Sequence, residues 1–207
     1  MTILTSIQRP EDAVNAALTR IGFSRRVDQM YEGTPAARAA LLIYGQTRDD
    51  ILRNGDYRFA IRQVQLTELK AAPPGGYNPF TPWTAAQYPA LPWMYSYAYP
   101  TDCLQLKSLR TAPIILPVVS PRAVTWSIDN DNSYQPAQKV ILTNLYAAVA
   151  TYTARVTDLT VWDAASIEAF IDALAQLLAP VLSKIDSQKI EEAAEARAEN
   201  DAEHLEG

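Results

Sequence analysis

Histidine and cysteine are almost missing from this chain, and that scarcity removes much of enzyme chemistry at once. The one cysteine, Cys103, excludes an intramolecular disulfide framework and fits a reducing compartment. With no second cysteine and no histidine near it in sequence, Cys103 reads as a small buried hydrophobe rather than a nucleophile or a metal ligand. The one histidine, His204, lies three residues from the end of the sequence in an acidic stretch. A terminal segment supplies neither the orienting carboxylate nor the shaped site that a catalytic histidine needs, so His204 reads as a surface residue. Basic charge is also short: 18 Lys and Arg against 23 Asp and Glu leave a net charge of −5. No Lys/Arg stripe is visible, which argues against a grip on nucleic-acid phosphates. No run approaches about 18 consecutive apolar residues, so no membrane span is expected. The start of the chain lacks the basic n-region and long apolar run of a signal peptide, and the expectation is a soluble protein used without export.

Glycine-rich phosphate loops are missing too, Gly75-Gly76 being a lone pair in a proline-rich loop. The segment from Asp129 through Asp131 to Ser133 resembles the start of a calcium loop. However, Tyr134 stands where that loop needs glycine and Val140 where it needs glutamate, so a hairpin turn is the better reading. The carboxylate pairs Glu11/Asp12, Asp49/Asp50 and Glu191/Glu192 each fall on helical sequence with a solvent side. No catalytic, cofactor-binding or metal site is expected.

What the chain does have is patterning. At 48% hydrophobic and 20% charged it is an ordinary globular composition, long enough for one good core or a core plus a smaller unit. Residues 10–21 read as a helix, with Pro10, Glu11 and Asp12 at its start, Gly22 at its stop, and an apolar stripe of Ala13, Val14, Ala17, Leu18 and Ile21. Thr34-Pro35 opens a second helix to about Asn54, with a stripe of Ala37, Ala40, Leu41, Tyr44, Ile51 and Leu52. Gly45 interrupts it at about 1 kcal/mol relative to alanine. Residues 56–69 read as a helical turn followed by a strand over 62–69. Six prolines and the glycine pair make 71–92 a long loop, and its Tyr77, Phe80, Trp83 and Tyr88 suggest that it packs on something.

From Trp93 the pattern turns to period two. Trp93, Tyr95, Tyr97 and Tyr99 fall on one strand face, Met94, Ser96 and Ala98 on the other. Pro100 ends that strand. A second alternation sets Leu104, Leu106 and Ser108 against Gln105, Lys107 and Leu109, and it frays at Leu109. Further strands are expected at 122–128 and 139–143, joined by a turn at 129–133, and at 147–156; a short apolar run spans Ile114 to Val119. Trp162-Asp163 opens the strongest helix, with Ile167, Phe170, Ile171, Leu174, Leu177, Leu178, Val181, Leu182 and Ile185 at three- and four-residue spacing. Pro180 is expected to kink or break it. Residues 186–207 keep helical composition without the apolar face.

The expected fold is therefore α+β. Two N-terminal helices and a long C-terminal helix form a helical bundle over 1–61 and 157–185. A mostly antiparallel β unit is inserted at 62–156, with its loop at 71–92. An acidic C-terminal arm follows at 186–207.

Five pieces of this sequence, taken in order, resemble the head-to-tail adaptor family of short-tailed bacteriophages, the tail tubular protein A group. They are Ala13-Val14-Asn15-x-Ala17-Leu18-x-x-Ile21-Gly22, then Trp93-x-Tyr95-x-Tyr97-x-x-Pro100-x-Asp102-Cys103-Leu104, then Ile141-Leu142-Thr143. Tyr152-x-x-Arg155-Val156-Thr157-Asp158-x-x-x-Trp162-Asp163 follows, and the closing helix carries Phe170-x-x-Ala173-Leu174-Ala175-x-x-Leu178-Ala179. The loop at 71–92 and the arm at 186–207 carry no motif of the family. The resemblance implies a non-enzymatic ring of about twelve copies, closed by head-to-tail contacts. In the virion it would sit at the head–tail interface, between the portal protein and the tail nozzle protein, with genomic DNA passing through its lumen unread. It would be made in the host cytoplasm and touch no membrane.

On this view the arm is a candidate portal contact, through Ile190, Glu191, Glu195, Arg197 and Leu205. The aromatics Tyr77, Phe80, Trp83, Trp93, Tyr95, Tyr97 and Tyr99 are candidates for contacts between subunits or with the nozzle. An alternative of another class is a carbohydrate-binding or cell-wall-degrading tail component, with the aromatic strip on glycan and a carboxylate pair as acid and base. A third is a cellular scaffold protein.

Overall fold

A computed structural model describes residues 7–76, 80, 83–111 and 124–205, with side chains to Lys184. Within them the chain is mixed: three helices and two antiparallel sheets, segregated along the sequence as in the α+β class. It divides into two compact units, one of residues 1–59 with 156–207 and one of Ala60–Arg155.

The first unit is helical. Its first helix, α1 (Pro10–Arg20), starts where the Asp12 carboxylate reaches back to the Arg9 amide at 2.9 Å. It stops at Gly22, whose φ of 75° lies in the left-handed region that glycine alone enters without strain. The Gly22 amide then donates to Thr19 O and the Phe23 amide to Leu18 O, closing the last turn. Ala13, Val14, Ala17 and Leu18 are buried, so the expected stripe is real apart from its last member, Ile21, which is only half-buried.

The polar connection after α1 is pinned by Asn15. Its carboxamide donates to Val27 O and accepts from the Val27 amide, both at 2.8 Å. In that way one side chain completes the hydrogen bonding of a residue that is itself buried.

The second helix, α2 (Pro35–Asn54), is capped by the Thr34 hydroxyl, which accepts from the Ala37 amide. Its buried face is Ala36, Ala37, Ala39, Ala40, Tyr44, Thr47 and Leu52. Leu41, expected inside, is 42% exposed beside Leu42 at 82%. Alanines fill the seam instead, which lets the helix pack closely.

The third helix, α3 (Ala164–Leu205), is capped by Asp163 through the Ser166 amide. It lies against both α1 and α2. Phe170 is its central anchor, edge-on to Tyr44 at 5.1 Å and tilted on Trp162 at 5.5 Å. Trp162 in turn meets Phe59 at 5.4 Å. Arg20 of α1 forms ion pairs with both Glu168 and Asp172 on the exposed rim.

By length and composition Ala164–Lys184 is apolar enough to cross a membrane, yet Phe170, Ile171, Leu174, Leu178 and Leu182 are buried within the described structure. α3 also continues through Pro180 rather than ending there. Proline removes the bond to the Gln176 carbonyl. Pro180 and Gln176 are both exposed, so water can satisfy that carbonyl.

The second unit is two antiparallel sheets built from β1 (Ile61–Gln65), β2 (Glu68–Ala71), β3 (Tyr95–Ala98), β4 (Cys103–Thr111), β5 (Trp126–Asp131), β6 (Gln138–Thr143) and β7 (Ala148–Ala154). One sheet has the order β1-β7-β4 and the other β2-β3-β6-β5. A 3-10 turn at Arg58–Ala60 precedes β1.

The single strand expected over 62–69 is two strands. The chain leaves one sheet at Leu66, whose amide bonds Ala148 O, and enters the other after Thr67, whose carbonyl takes the Ala98 amide. Leu66 falls between the sheets in one core with Tyr97, Ile141, Leu106, Leu109, Tyr152 and the small residues Ala148, Ala150 and Ala154.

The fraying of the pattern at Leu109 has a cause. The register of β4 on β7 shifts between Leu106 and Ser108, so one extra residue turns Leu109 back to the core face that Leu106 already occupies. The turn expected at 129–133 lies further on. Asp129, Asn130 and Asp131 pair with Val140, Lys139 and Gln138, and the reversal occupies 132–137. The apolar run at 114–119 lies outside the described residues.

Candidate functional site

Two side-chain constellations in the β unit gather polar groups with partners distant in sequence. The first centres on Asp102, in the turn between β3 and β4. Its Oδ1 accepts from the Tyr152 hydroxyl of β7 at 2.9 Å, and its Oδ2 from Arg62 of β1 at 2.6 Å. Its carbonyl takes the Arg155 amide at 2.7 Å. One carboxylate thus ties three parts of one sheet together. Burial together with the neighbouring Asp102 carboxylate pushes the Tyr152 hydroxyl up to about 12. Next to it, the Cys103 thiol donates to the Tyr99 hydroxyl at 3.2 Å, and burial pushes that thiol up, away from the reactive thiolate. The Lys139 ammonium stands 3.9 Å from the centroid of the Tyr99 ring.

The second constellation centres on Lys70 of β2, whose side chain is only 5% exposed. Its ammonium donates to Ala85 O at 2.6 Å, to Ser133 Oγ at 2.7 Å and to the Asp131 carboxylate. All three of its protons are therefore used. The ring of Tyr134 lies 5.1 Å away. Asp131 also accepts from the Ser133 amide and hydroxyl. Burial works to raise the Asp131 carboxyl, but the Lys70 ammonium and the Ser133 donors outweigh it and hold the group below its ordinary 3.8.

Lys70 thereby fastens the 83–90 segment and the β5–β6 hairpin to the same strand. Between those two pieces lies a cleft of about 340 Å³. Trp83 and Tyr88 wall it on one side, Asp129, Asn130 and Asn132 on the other, over a floor that includes Val140 and Leu142. The Trp83 indole is held in place by its Nε1–H on Pro89 O at 2.8 Å and is 42% exposed.

The residues expected at interfaces part company here. Tyr97 is 1% exposed, its hydroxyl donating to Leu145 O at 2.8 Å, so it is a core residue and offers no contact surface. Burial raises its hydroxyl as well. Tyr95 and Tyr99 pack against the same core. Trp93 precedes β3 and is half-buried, its amide on Ala90 O. The aromatic strip read as a possible contact face is thus largely the inside of the β unit, because the second sheet covers it.

Phe80, 92% exposed, and Trp83 do present surface. Tyr77 lies outside the described residues, as do the side chains of Ile190, Glu191, Glu195, Arg197 and Leu205, whose backbone is helical. Lys70 and Asp131 escaped sequence reasoning. A lysine in a short strand and an aspartate in a turn-like run carry no local sign of pairing across 61 residues. Among the described residues no group of three or more His, Cys, Asp or Glu gathers to hold a metal ion. Compared with known protein families and with curated proteins, the chain matches none.

Proposed function

We propose that the protein is a structural head-to-tail adaptor of a short-tailed phage, a non-enzymatic ring of about twelve copies that joins the portal to the tail nozzle and lets DNA through. In this reading the three helices are the bundle of the adaptor fold and the β unit is its insertion.

What carries the reading is the role of the motif residues that suggested it. Asn15 clamps Val27, Asp102 joins β1 and β7, Tyr97 fills the sheet core, and Trp162 and Phe170 form the aromatic centre of the helical unit. Residues on which a fold depends are those that a shared fold retains. The net charge of −5 suits a conduit that must not hold DNA. The portal contact falls to the C-terminal end of α3, through Ile190, Glu191, Glu195, Arg197 and Leu205.

The test is to mix the purified protein with the portal protein and image the particles. A ring stacked on the portal with matching symmetry is the expected result, while persistent monomers with no portal affinity would refute the proposal. Deleting 186–207 should abolish portal binding, and full-strength binding without those residues would remove them from the contact.

A further inference from the structure

We propose that the cleft between the 83–90 segment and the β5–β6 hairpin binds a neutral sugar ring. The proposal stands on the lining of the cleft and does not depend on the adaptor reading, although Trp83 is also one of the candidate contact aromatics.

Three features select that ligand class. Size is the first: about 340 Å³ is at the small end of ligand pockets and admits one or two rings, not a folded peptide segment. The second is the pairing of an aromatic wall with an amide and carboxylate wall. The Trp83 indole offers an apolar face to the C–H side of a pyranose. Opposite it, Asp129 supplies acceptors, while Asn132, on the turn after β5, supplies a carboxamide that both donates and accepts. That carboxamide makes no hydrogen bond among the described residues, and hydroxyl groups, themselves donors and acceptors, match it.

Charge is the third feature. An anion would face Asp129 with no free cation to meet it among the described residues of the lining, and all three protons of the neighbouring Lys70 are engaged. A metal ion would find the Asp131 oxygens already spent on Lys70 and Ser133. A neutral polyhydroxylated ring avoids both conflicts. Ordering costs are small as well, because Lys70 pins both walls and Pro89 O fixes the indole plane.

Saturation-transfer NMR on the full chain with the methyl β-glycosides of glucose, galactose and N-acetylglucosamine tests this. The expected result is transfer to the ring protons of at least one glycoside. Trp83→Ala and Asn132→Ala should each weaken that affinity by about tenfold, and Tyr146→Ala, at an exposed tyrosine outside the cleft, should leave it unchanged. Absence of transfer for all three sugars overturns the proposal, and so does transfer undiminished in Trp83→Ala. Should Trp83→Ala lose its fold, Asn132→Ala, on an exposed turn, decides the matter alone.

Discussion

Replacing Lys70 with methionine is the sharpest perturbation that the β unit offers. The substitution keeps the length of the stem and removes only the charge and its three donors. Left behind are the Asp131 carboxylate, 14% exposed, and the Ala85 carbonyl. Breaking a buried pair by removing one partner costs about 3–5 kcal/mol. Asp131 keeps its two bonds from Ser133 and touches solvent, which places Lys70→Met just below that range, at about 2–3 kcal/mol. For a unit of this size that corresponds to a fall in Tm of roughly 10–20 °C. Asp131→Asn keeps the hydrogen bonds of the turn while removing the uncompensated charge. The double variant Lys70→Met/Asp131→Asn should therefore recover part of the loss, with a coupling of about 1–2 kcal/mol. Urea unfolding gives the energies. Amide exchange at Gln87 and Tyr88 reports whether the 83–90 segment has been released, because both amides bond Thr84 O in the described turn. A Lys70→Met protein within about 0.5 kcal/mol of the parent, with those amides exchanging as before, would refute the assignment of Lys70 as the fastening of this segment.

Asn15→Ala removes both hydrogen bonds to Val27 and should cost about 2 kcal/mol by thermal or urea unfolding, with the 23–33 connection becoming the first site of proteolysis. Tyr152→Phe deletes the hydroxyl on Asp102 and should cost about 1 kcal/mol, measured the same way. Acid should destabilise the protein in a defined window. Asp131 and Asp12 have folded values below the ordinary 3.8, so their contribution is complete above 3.8 and is lost as pH falls through the lower folded values. At the alkaline end Tyr44 and Tyr152 titrate at about 12 when folded, against 10 in the open chain, so stability should decline as pH rises from 10 through 12. Urea midpoints across both windows check the signs.

How much of this was written locally in the sequence differs from element to element. Helix α1 was legible because its signals are adjacent: Pro10, Glu11 and Asp12 at one end and Gly22 at the other. The β4 strand announced its own irregularity, since an alternation that frays at Leu109 is what a bulge leaves in a sequence. The division of 62–69 into β1 and β2 left no such trace. Leu66-Thr67 contains neither glycine nor proline, and only the pairing of Leu66 with Ala148 and Thr67 with Ala98 makes the corner. Asp129 to Asp131 has turn composition, yet the ladder with β6 overrides it. The aromatics of β3 were placed correctly on one face, but which way that face looks depends on a second sheet whose strands are 50 residues away. The cleft was illegible for the same reason: Lys70 joins its walls across 61 residues of sequence.

The pairing of β1 with β7 also has a kinetic meaning. Ile61 stands opposite Thr153, so a chain of nearly a hundred residues leaves the helical unit and returns with its ends side by side. Until those strands join, α3 must find α1 and α2 across a loop of that length. Once they join, the effective loop shrinks to a few residues, and the closure entropy falls by roughly 3 kcal/mol. We predict that the β unit assembles first, pays that closure itself and hands the helices a short tether. Substitutions in β1 and β7 should then slow folding, whereas those at Phe170 should mainly speed unfolding, and stopped-flow rates for Val149→Ala and Phe170→Ala separate the two orders.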